Sequence, residues 1–180
     1  MSRIGKKPIE VPKNVKVSFS GSKMAVEGPK GKLEMEIHPC VKAEVKDNHL
    51  TFHCAAEQKA EKALHGTTRS IAAGMIRGVT EGFAKELLIE GVGFKAQIQG
   101  GALSLSLGFT HPVVFQVPPG ISVEAPKPTQ VFVRGMDKVK VGEFAAGLRR
   151  VFEAEPYKGK GIRYLGEAVR RKAGKAAAKA

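Results

Sequence analysis

The order of the predicted secondary structure repeats itself along this chain. Each half begins with short segments of alternating hydropathy, typical of strands, and ends in a segment with the period of a helix. With a shift of 80 residues, Phe52 aligns with Phe132, Leu64 with Phe144, Arg69 with Arg149 and Ile71 with Val151. Such a duplication predicts two similar α+β domains, residues 1–81 and 82–180, each an antiparallel sheet covered by one main helix.

The strand-like segments are short and separated by turn sequences. They cover residues 15–19, 24–28, 33–37, 41–45 and 50–54 in the first half, and 85–90, 94–98, 103–107, 113–117 and 130–134 in the second. The glycines of GPKG at 28–31 and QGG at 99–101 predict tight turns between neighbouring strands. The proline-rich segment at 118–128, PPGISVEAPKP, predicts a loop.

Two segments have helical periodicity, and a third is a short candidate. The first runs from Glu57 to Val79 and the second lies near residues 141–152. Their predicted apolar stripes are Ala60, Leu64, Ile71, Met75 and Val79 in the first, and Val141, Phe144, Leu148 and Phe152 in the second. Residues 167–172 predict a short helix inside the C-terminal tail, and the rest of the tail is expected to be disordered on its own.

Net charge is concentrated at the two ends of the chain. The 180 residues carry a formal charge of +13. Residues 1–32 hold eight Lys or Arg against two acids, residues 33–155 hold fourteen of each, and residues 156–180 hold eight against one. A neutral folded middle with two basic arms indicates a protein that binds a polyanion through phosphates.

The expected location is the cytoplasm. The chain has two cysteines, which is too few for a disulfide framework. Its start, MSRIGKKPIEV, lacks the apolar core of a secretory signal, and no apolar run approaches the roughly 20 residues that span a bilayer. We therefore expect no membrane partner.

The arms carry residue types that bind RNA. In PYKGKGIRY, residues 156–164, the glycines allow close approach of a sugar-phosphate chain, the cations meet phosphates, and Tyr157 and Tyr164 stack on unpaired bases. The N-terminal SRIGKKP has the same character. Of the repeated pair, only Arg149 and not Arg69 is predicted to contact RNA, because only the second domain continues directly into the C-terminal arm.

Other classes of function are poorly supported. No spacing of Cys and His predicts a zinc site, GPKGKL lacks the spacing of a nucleotide-binding loop, and the only aspartates are Asp47 and Asp137. We therefore expect no enzyme activity, no metal, no cofactor and no small-molecule substrate. The alternative left open is a nucleoid-type or regulatory DNA-binding protein, which the lack of a basic recognition helix disfavours.

Five motifs together resemble one protein family. MSRIGKKPI, GPKG, GVGFKA, LSLGFTHPV and above all EPYKGKGIRY, in this order, resemble the L-six family of bacterial large-subunit ribosomal proteins over residues 1–172. The resemblance implies two similar α+β domains and binding to 23S-type ribosomal RNA near the factor-binding region at the base of the lateral stalk. It also implies neighbouring ribosomal proteins as partners and proximity to translation factors.

Combining the arms with this resemblance gives a set of predicted RNA-binding residues. They are Arg3, Lys6, Lys7, Arg149, Tyr157, Lys158, Gly159, Lys160, Gly161, Arg163, Tyr164, Arg170, Arg171 and Lys172. The family's C-terminal motif, as the resemblance implies it, covers residues 157–161 and Arg163, with residues 170–172 beyond.

Overall fold

The computed structural model describes residues 2–46, 48–54 and 58–175. These residues form an α+β structure, in which every strand pairing within the sheets is antiparallel. The chain packs as two units. The first extends to Gly82 and also includes Met136–Lys138, and the second comprises Phe83–Gly135 and continues from Val139. The predicted fold class is confirmed.

The first unit contains two small sheets and one long helix. Its elements are β1 (Ile9–Glu10), β2 (Lys16–Ser20), β3 (Lys23–Gly28), β4 (Gly31–Glu36), β5 (Val41–Lys46), β6 (His49–Cys54) and α1 (Lys59–Thr80). The strand orders are β1-β6-β5 and β2-β3-β4. Met24, Val26, Leu50, Ala72 and Val79 are completely buried where the sheets meet the helix, and they form the centre of the core.

The second unit has the same plan and one additional strand. Its elements are β7 (Phe83–Glu90), β8 (Lys95–Gln99), β9 (Ala102–Ser106), β10 (Val113–Gln116), β11 (Ile121–Lys127), β12 (Gln130–Gly135), α2 (Lys138–Val151) and β13 (Gly161–Tyr164). The strand orders are β10-β9-β8 and β11-β12-β7-β13. In the predicted LSLSL strand, Leu103, Leu105 and Leu107 are buried as the alternation requires.

The two units repeat each other strand for strand. The sheet β2-β3-β4 corresponds to β8-β9-β10, and β1-β6-β5 corresponds to β7-β12-β11. The predicted duplication therefore extends to the order of strands within each sheet. Only β13 has no counterpart among the described residues of the first unit.

One alignment of the predicted repeat is wrong by a single residue. Phe52 is in the core, with 3% of its surface exposed, whereas Phe132 is only half-buried and its neighbours Val131 and Val133 are buried instead. Successive strand residues face opposite sides of a sheet, so a shift of one residue exchanges the two faces. Val41, the first residue of β5, pairs with Cys54, and Ile121, the first residue of β11, pairs with Gly135. Cys54 and Gly135 are therefore equivalent, which aligns β6 with β12 at a shift of 81 residues.

The buried face of α1 also differs from the predicted stripe. Ile71 is 45% exposed, whereas His65 and Thr68 are buried. The buried residues are His65, Thr68, Ala72, Met75, Ile76, Gly78 and Val79. Hydropathy misses the two polar positions because one polar atom of each side chain finds a partner inside the protein. A His65 ring nitrogen lies 3.0 Å from the Phe52 carbonyl, and the Thr68 hydroxyl donates to the Leu64 carbonyl at 2.9 Å.

The predicted proline-rich loop at 118–128 contains a strand, β11. This strand lies at the edge of its sheet, and its register shifts between Glu124 and Lys127, on either side of Pro126. Proline lacks an N–H but is tolerated at edges and bulges, so the turn-like composition was misleading. Among the described residues, no helix is both long enough and apolar enough to cross a membrane.

Candidate nucleic-acid interface

A closed loop after α2 displays the first part of the C-terminal basic arm. The Glu155 N–H donates to the Lys160 carbonyl at 2.8 Å, and the Gly159 N–H donates to the Glu155 carbonyl at 3.1 Å. Between these bonds Tyr157 is 58% exposed, and Lys158 and Lys160 are exposed as well. The loop therefore holds one aromatic ring and two cations at the surface on a fixed backbone.

The second part of PYKGKGIRY is a strand and not a loop. Residues 161–164 form β13, which pairs with the edge of β7. The side chain of Ile162 is 1% exposed, and its N–H donates to the Phe152 carbonyl at 2.7 Å. Burial of Ile162 anchors the arm to the core of the second unit, directly beside the exposed loop.

The two glycines of PYKGKGIRY, Gly159 and Gly161, are buried against the protein itself. Gly159 has φ +76° and Gly161 has φ +135°, which other residues rarely adopt. A Cβ on Gly161 would lie 2.6 Å from the Glu153 carbonyl oxygen and 2.8 Å from the Ala154 Cα. Gly161 thus allows two segments of this chain to approach each other. The sequence had predicted that this glycine allows RNA to approach.

Arg163 and Tyr164 are likewise engaged within the unit. The Arg163 Nε donates to Glu90 Oε1 at 3.1 Å, and its Nη1 lies 3.5 Å from the Glu167 carbonyl oxygen. Tyr164 is half-buried against the core, and the Lys85 Nζ lies 5.5 Å from its ring centroid. Of the two tyrosines, Tyr157 is the one that presents its ring to solvent.

Arg149 is held by two carboxylates of its own unit. Its Nε and Nη2 donate to the Glu167 carboxylate at 3.1 and 2.6 Å, and its Nη1 donates to Glu153 at 3.1 Å. The hydrogen bond from Arg149, followed by one from the Tyr164 N–H, lowers the pKa of Glu167, and the same pair raises the pKa of Arg149. Glu167 is not among the predicted site residues, although a single acid within a basic run could have indicated an ion pair.

The segment after Glu167 is not helical, so the helix predicted for 167–172 is wrong. The Glu167 carboxylate accepts the Tyr164 N–H at 3.0 Å and binds Arg149, and these bonds fix a turn instead. Further along, the Lys172 N–H donates to the Pro156 carbonyl at 2.9 Å, which places the tail beside the loop. Of the later tail, residues 176–180 with Lys179 lie outside the described residues.

This return of the chain creates one exposed basic surface, which we call the C-terminal basic surface. It consists of Tyr157, Lys158, Lys160, Arg170, Arg171 and Lys172, all of which are exposed. Five cations and one aromatic ring are thus carried on two stretches of chain that a backbone hydrogen bond joins. Such a surface can neutralise several phosphates at once.

The N-terminal arm is folded onto α1. Gly5 is buried, and a Cβ there would lie 2.5 Å from the ring of His65. Arg69 donates to the Lys7 carbonyl from Nε at 3.2 Å and to the Pro8 carbonyl from Nη2 at 3.4 Å. The predicted cations Arg3, Lys6 and Lys7 are exposed. The arm therefore presents its charges from a backbone that the helix holds.

Metal-binding chemistry finds little support in the described part of the chain. No group of three or more His, Cys, Asp or Glu side chains there could hold a metal ion. His38 and Cys40 do lie together, with Nδ1 and Sγ 3.0 Å apart, but they form a pair of two ligands only. A zinc site needs four ligands, or three and a water.

Comparison with known proteins identifies the family. The family described as Ribosomal protein L6 matches residues 11–82 and 90–165. The chain is 49% identical over 178 residues to a large ribosomal subunit protein uL6 of Opitutus terrae, covering 99% of this chain and 100% of the relative. It is 49% identical to the uL6 of Pelobacter propionicus, with 97% and 98% covered, and 49% identical to that of Bacillus cereus strain ZK, with 98% and 99% covered. With two repeats matched and relatives aligned over nearly their full length, the chain belongs to the ribosomal protein L6 family.

Proposed function

We propose that this protein is a structural constituent of the large ribosomal subunit that binds large-subunit ribosomal RNA through its C-terminal basic surface and its N-terminal arm. Its relatives are named as proteins of the large ribosomal subunit. The family is structural and not enzymatic. Neighbouring large-subunit ribosomal proteins are further partners, and the cytoplasmic ribosome is the location. The two domains of this constituent are residues 1–81 and 82–180.

The observation that carries the proposal is the convergence of basic residues in the second unit. Residues 157–160 and 170–172 lie side by side because the Lys172 N–H bonds to the Pro156 carbonyl. Lysines and arginines arranged in this way bind a phosphate backbone and release its counterions, which makes the affinity depend on salt. Tyr157 adds a ring that can stack on an unpaired base, and such bases are common in folded ribosomal RNA.

We place the protein near the factor-binding region at the base of the lateral stalk, within reach of translation factors. This placement rests on the resemblance of the motifs at residues 1–9 and 155–164 to the L-six family. Ultraviolet crosslinking in growing cells, followed by sequencing of the attached RNA, tests it. Crosslinks confined to a few patches of large-subunit RNA at the stalk base support the placement, and crosslinks spread over messenger RNA or DNA contradict it.

A binding experiment with matched variants tests the RNA-binding surface itself. Lys158→Ala combined with Lys160→Ala removes two cations from the surface, and Lys95→Ala with Lys127→Ala removes two exposed cations from β8 and β11. Both double variants have the same net charge. We measure the Kd for in vitro transcribed large-subunit RNA at several salt concentrations, with duplex DNA as a competitor.

The two variants are expected to differ although their charge is equal. Loss of two phosphate contacts should lower the slope of log Kd against log salt by about 1.4, at about 0.7 for each contact with single-stranded RNA. The control variant should keep the slope of the natural protein. Equal effects of the two variants would mean that net charge alone drives binding, and preference for duplex DNA would favour a DNA-binding protein instead.

A further inference from the structure

We propose that Arg69 and Arg149, the equivalent arginines of the two repeats, are positioning residues that hold the two basic arms in place and do not themselves bind phosphates. This proposal rests on the proposed RNA-binding function. It assigns the same role to two residues that the repeat aligns, whereas the sequence predicts an RNA contact for Arg149 and none for Arg69. It also reverses the earlier prediction that Arg149 contacts RNA.

The two arginines occupy the same position relative to the core of their units. Arg69 follows the buried Thr68 and lies four residues after His65, which is 0% exposed. Arg149 follows the buried Leu148 and lies four residues after Ala145, which is also 0% exposed. Each guanidinium therefore leaves its helix at the border between the buried face and solvent.

Each guanidinium is directed to the basic arm of its own unit. Arg69 donates to the carbonyl groups of Lys7 and Pro8, which end the N-terminal arm. Arg149 donates two hydrogen bonds to the carboxylate of Glu167, which lies between β13 and the basic residues at 170–172. Bidentate pairs of this kind fix geometry because both partners are planar.

The chemistry of Glu167 explains why an acid lies within a phosphate-binding arm. It is the only acid after residue 155, and its charge repels phosphates. Yet its side chain is only 26% exposed, and it binds both Arg149 and the Tyr164 N–H. An acid that weakens binding electrostatically is useful there if it orders the cations around it, since an ordered arm loses less conformational entropy on binding.

A comparison of two carboxylates separates positioning from simple electrostatics. Glu167→Gln and Glu153→Gln each remove one negative charge and one ion-pair partner of Arg149, but Glu153 lies next to α2 and 61% of its side chain is exposed. If charge alone mattered, or if Arg149 bound phosphates once released, both variants would bind large-subunit RNA more tightly. If Glu167 positions the arm, Glu167→Gln should weaken binding about three- to tenfold while Glu153→Gln binds equally or more tightly.

The Kd values are measured at a temperature at which circular dichroism shows every variant folded, so a general loss of stability leaves them unchanged. Arg149→Gln should weaken binding as much as Glu167→Gln, and the double variant no more than either, because the pair is already broken. The salt slope should stay constant, since no phosphate contact is lost. Amide hydrogen exchange should become faster in residues 161–172 only.

Three results overturn the proposal. These are unchanged or tighter binding by Glu167→Gln, additive effects in the double variant, and a salt slope that falls by about 0.7 in Arg149→Gln. Failure of the proposed RNA-binding function is a separate result, because it appears as unchanged binding when Lys158 and Lys160 are both replaced. Arg69→Gln completes the test, and it should increase exchange in residues 2–8 without changing exchange in residues 161–172.

Discussion

Replacing Gly161 with alanine should detach β13 from the second unit. The added Cβ would lie 2.6 Å from the Glu153 carbonyl oxygen, 2.7 Å from its carbonyl carbon and 2.8 Å from the Ala154 Cα. All three are backbone atoms, so no side-chain rotation can relieve the overlap. The backbone itself must move, and the strand that begins at Gly161 must move with it.

The cost has two parts. A side chain at φ +135° is strained by about 1 to 3 kcal/mol. Displacement of β13 also exposes Ile162, which is now 1% exposed. Loss of this burial costs a further 1.5 to 3 kcal/mol or so, the usual value for an aliphatic side chain. Together they reach about 2.5 to 6 kcal/mol, a large fraction of the roughly 5 to 15 kcal/mol that stabilises a typical domain.

Urea unfolding followed by tyrosine fluorescence measures this loss directly. The chain has two tyrosines and no tryptophan, and both tyrosines lie in the affected segment, at 157 and 164. Gly166→Ala is the matched control, because φ is +79° there but nothing lies within 4 Å of the added Cβ. It should cost about 1 to 2 kcal/mol, from the left-handed backbone alone. If Gly161→Ala costs no more than the control, the close approach of the two backbones does not stabilise the arm.

Three further predictions concern other parts of the molecule. Because Arg149 lowers the pKa of Glu167 below 4.5, the pair stabilises the fold above that pH and is lost as the pH falls through the lowered pKa. The difference in unfolding free energy between the natural protein and Glu167→Gln should therefore shrink as the pH falls from about 5 through the lowered pKa, and a constant difference would contradict it. Cys40 is half-buried and Cys54 is 3% exposed, so a thiol reagent should modify Cys40 in the native protein and Cys54 only on unfolding. Mass spectrometry of the labelled peptides measures the two rates of modification, and equal rates would contradict this prediction. Gly5→Ala should destabilise docking of the N-terminal arm by about 1 to 3 kcal/mol through contact with His65, seen as faster exchange of residues 2–8, and unchanged exchange would contradict it.

Periodicity predicted most of the fold, because each unit is built from short strands with one buried face. It failed where a polar side chain is buried with a partner, as at His65, and where a strand contains a proline, as at Pro126. In both cases the deciding interaction is tertiary: a carbonyl of strand β6 for His65 on helix α1, and an edge position in the sheet for Pro126. The repeat could have predicted the strand at 121–127, because its counterpart in the first half is the strand β5.

The candidate site was predictable in its composition but not in the division of labour among its residues. Charge and glycine content located the C-terminal arm, and the resemblance named its motif. Neither could distinguish Lys158, which is exposed, from Arg163, which pairs with Glu90 from a distant part of the sequence. Likewise the sequence gives no reason to distinguish Tyr157 from Tyr164. The two differ in the structure because the pairing of β13 with β7 packs Tyr164 against the core.

Ion pairs in this protein gain importance from where they lie more than from their individual strength. The pairs Lys32–Glu34 and Lys46–Glu44 join side chains about half exposed or more within single strands, and exposed pairs of this kind contribute little to stability. Arg163–Glu90 instead joins β13 to β7 across 73 positions of sequence, and Arg149–Glu167 joins α2 to the arm. We expect that breaking one of the second kind loosens the arm, and with it the order of the exposed cations Arg170, Arg171 and Lys172. The most informative substitutions in a basic arm are therefore its carboxylate partners, because replacing a lysine removes one contact whereas replacing Glu167 is expected to loosen several cations without removing any of them.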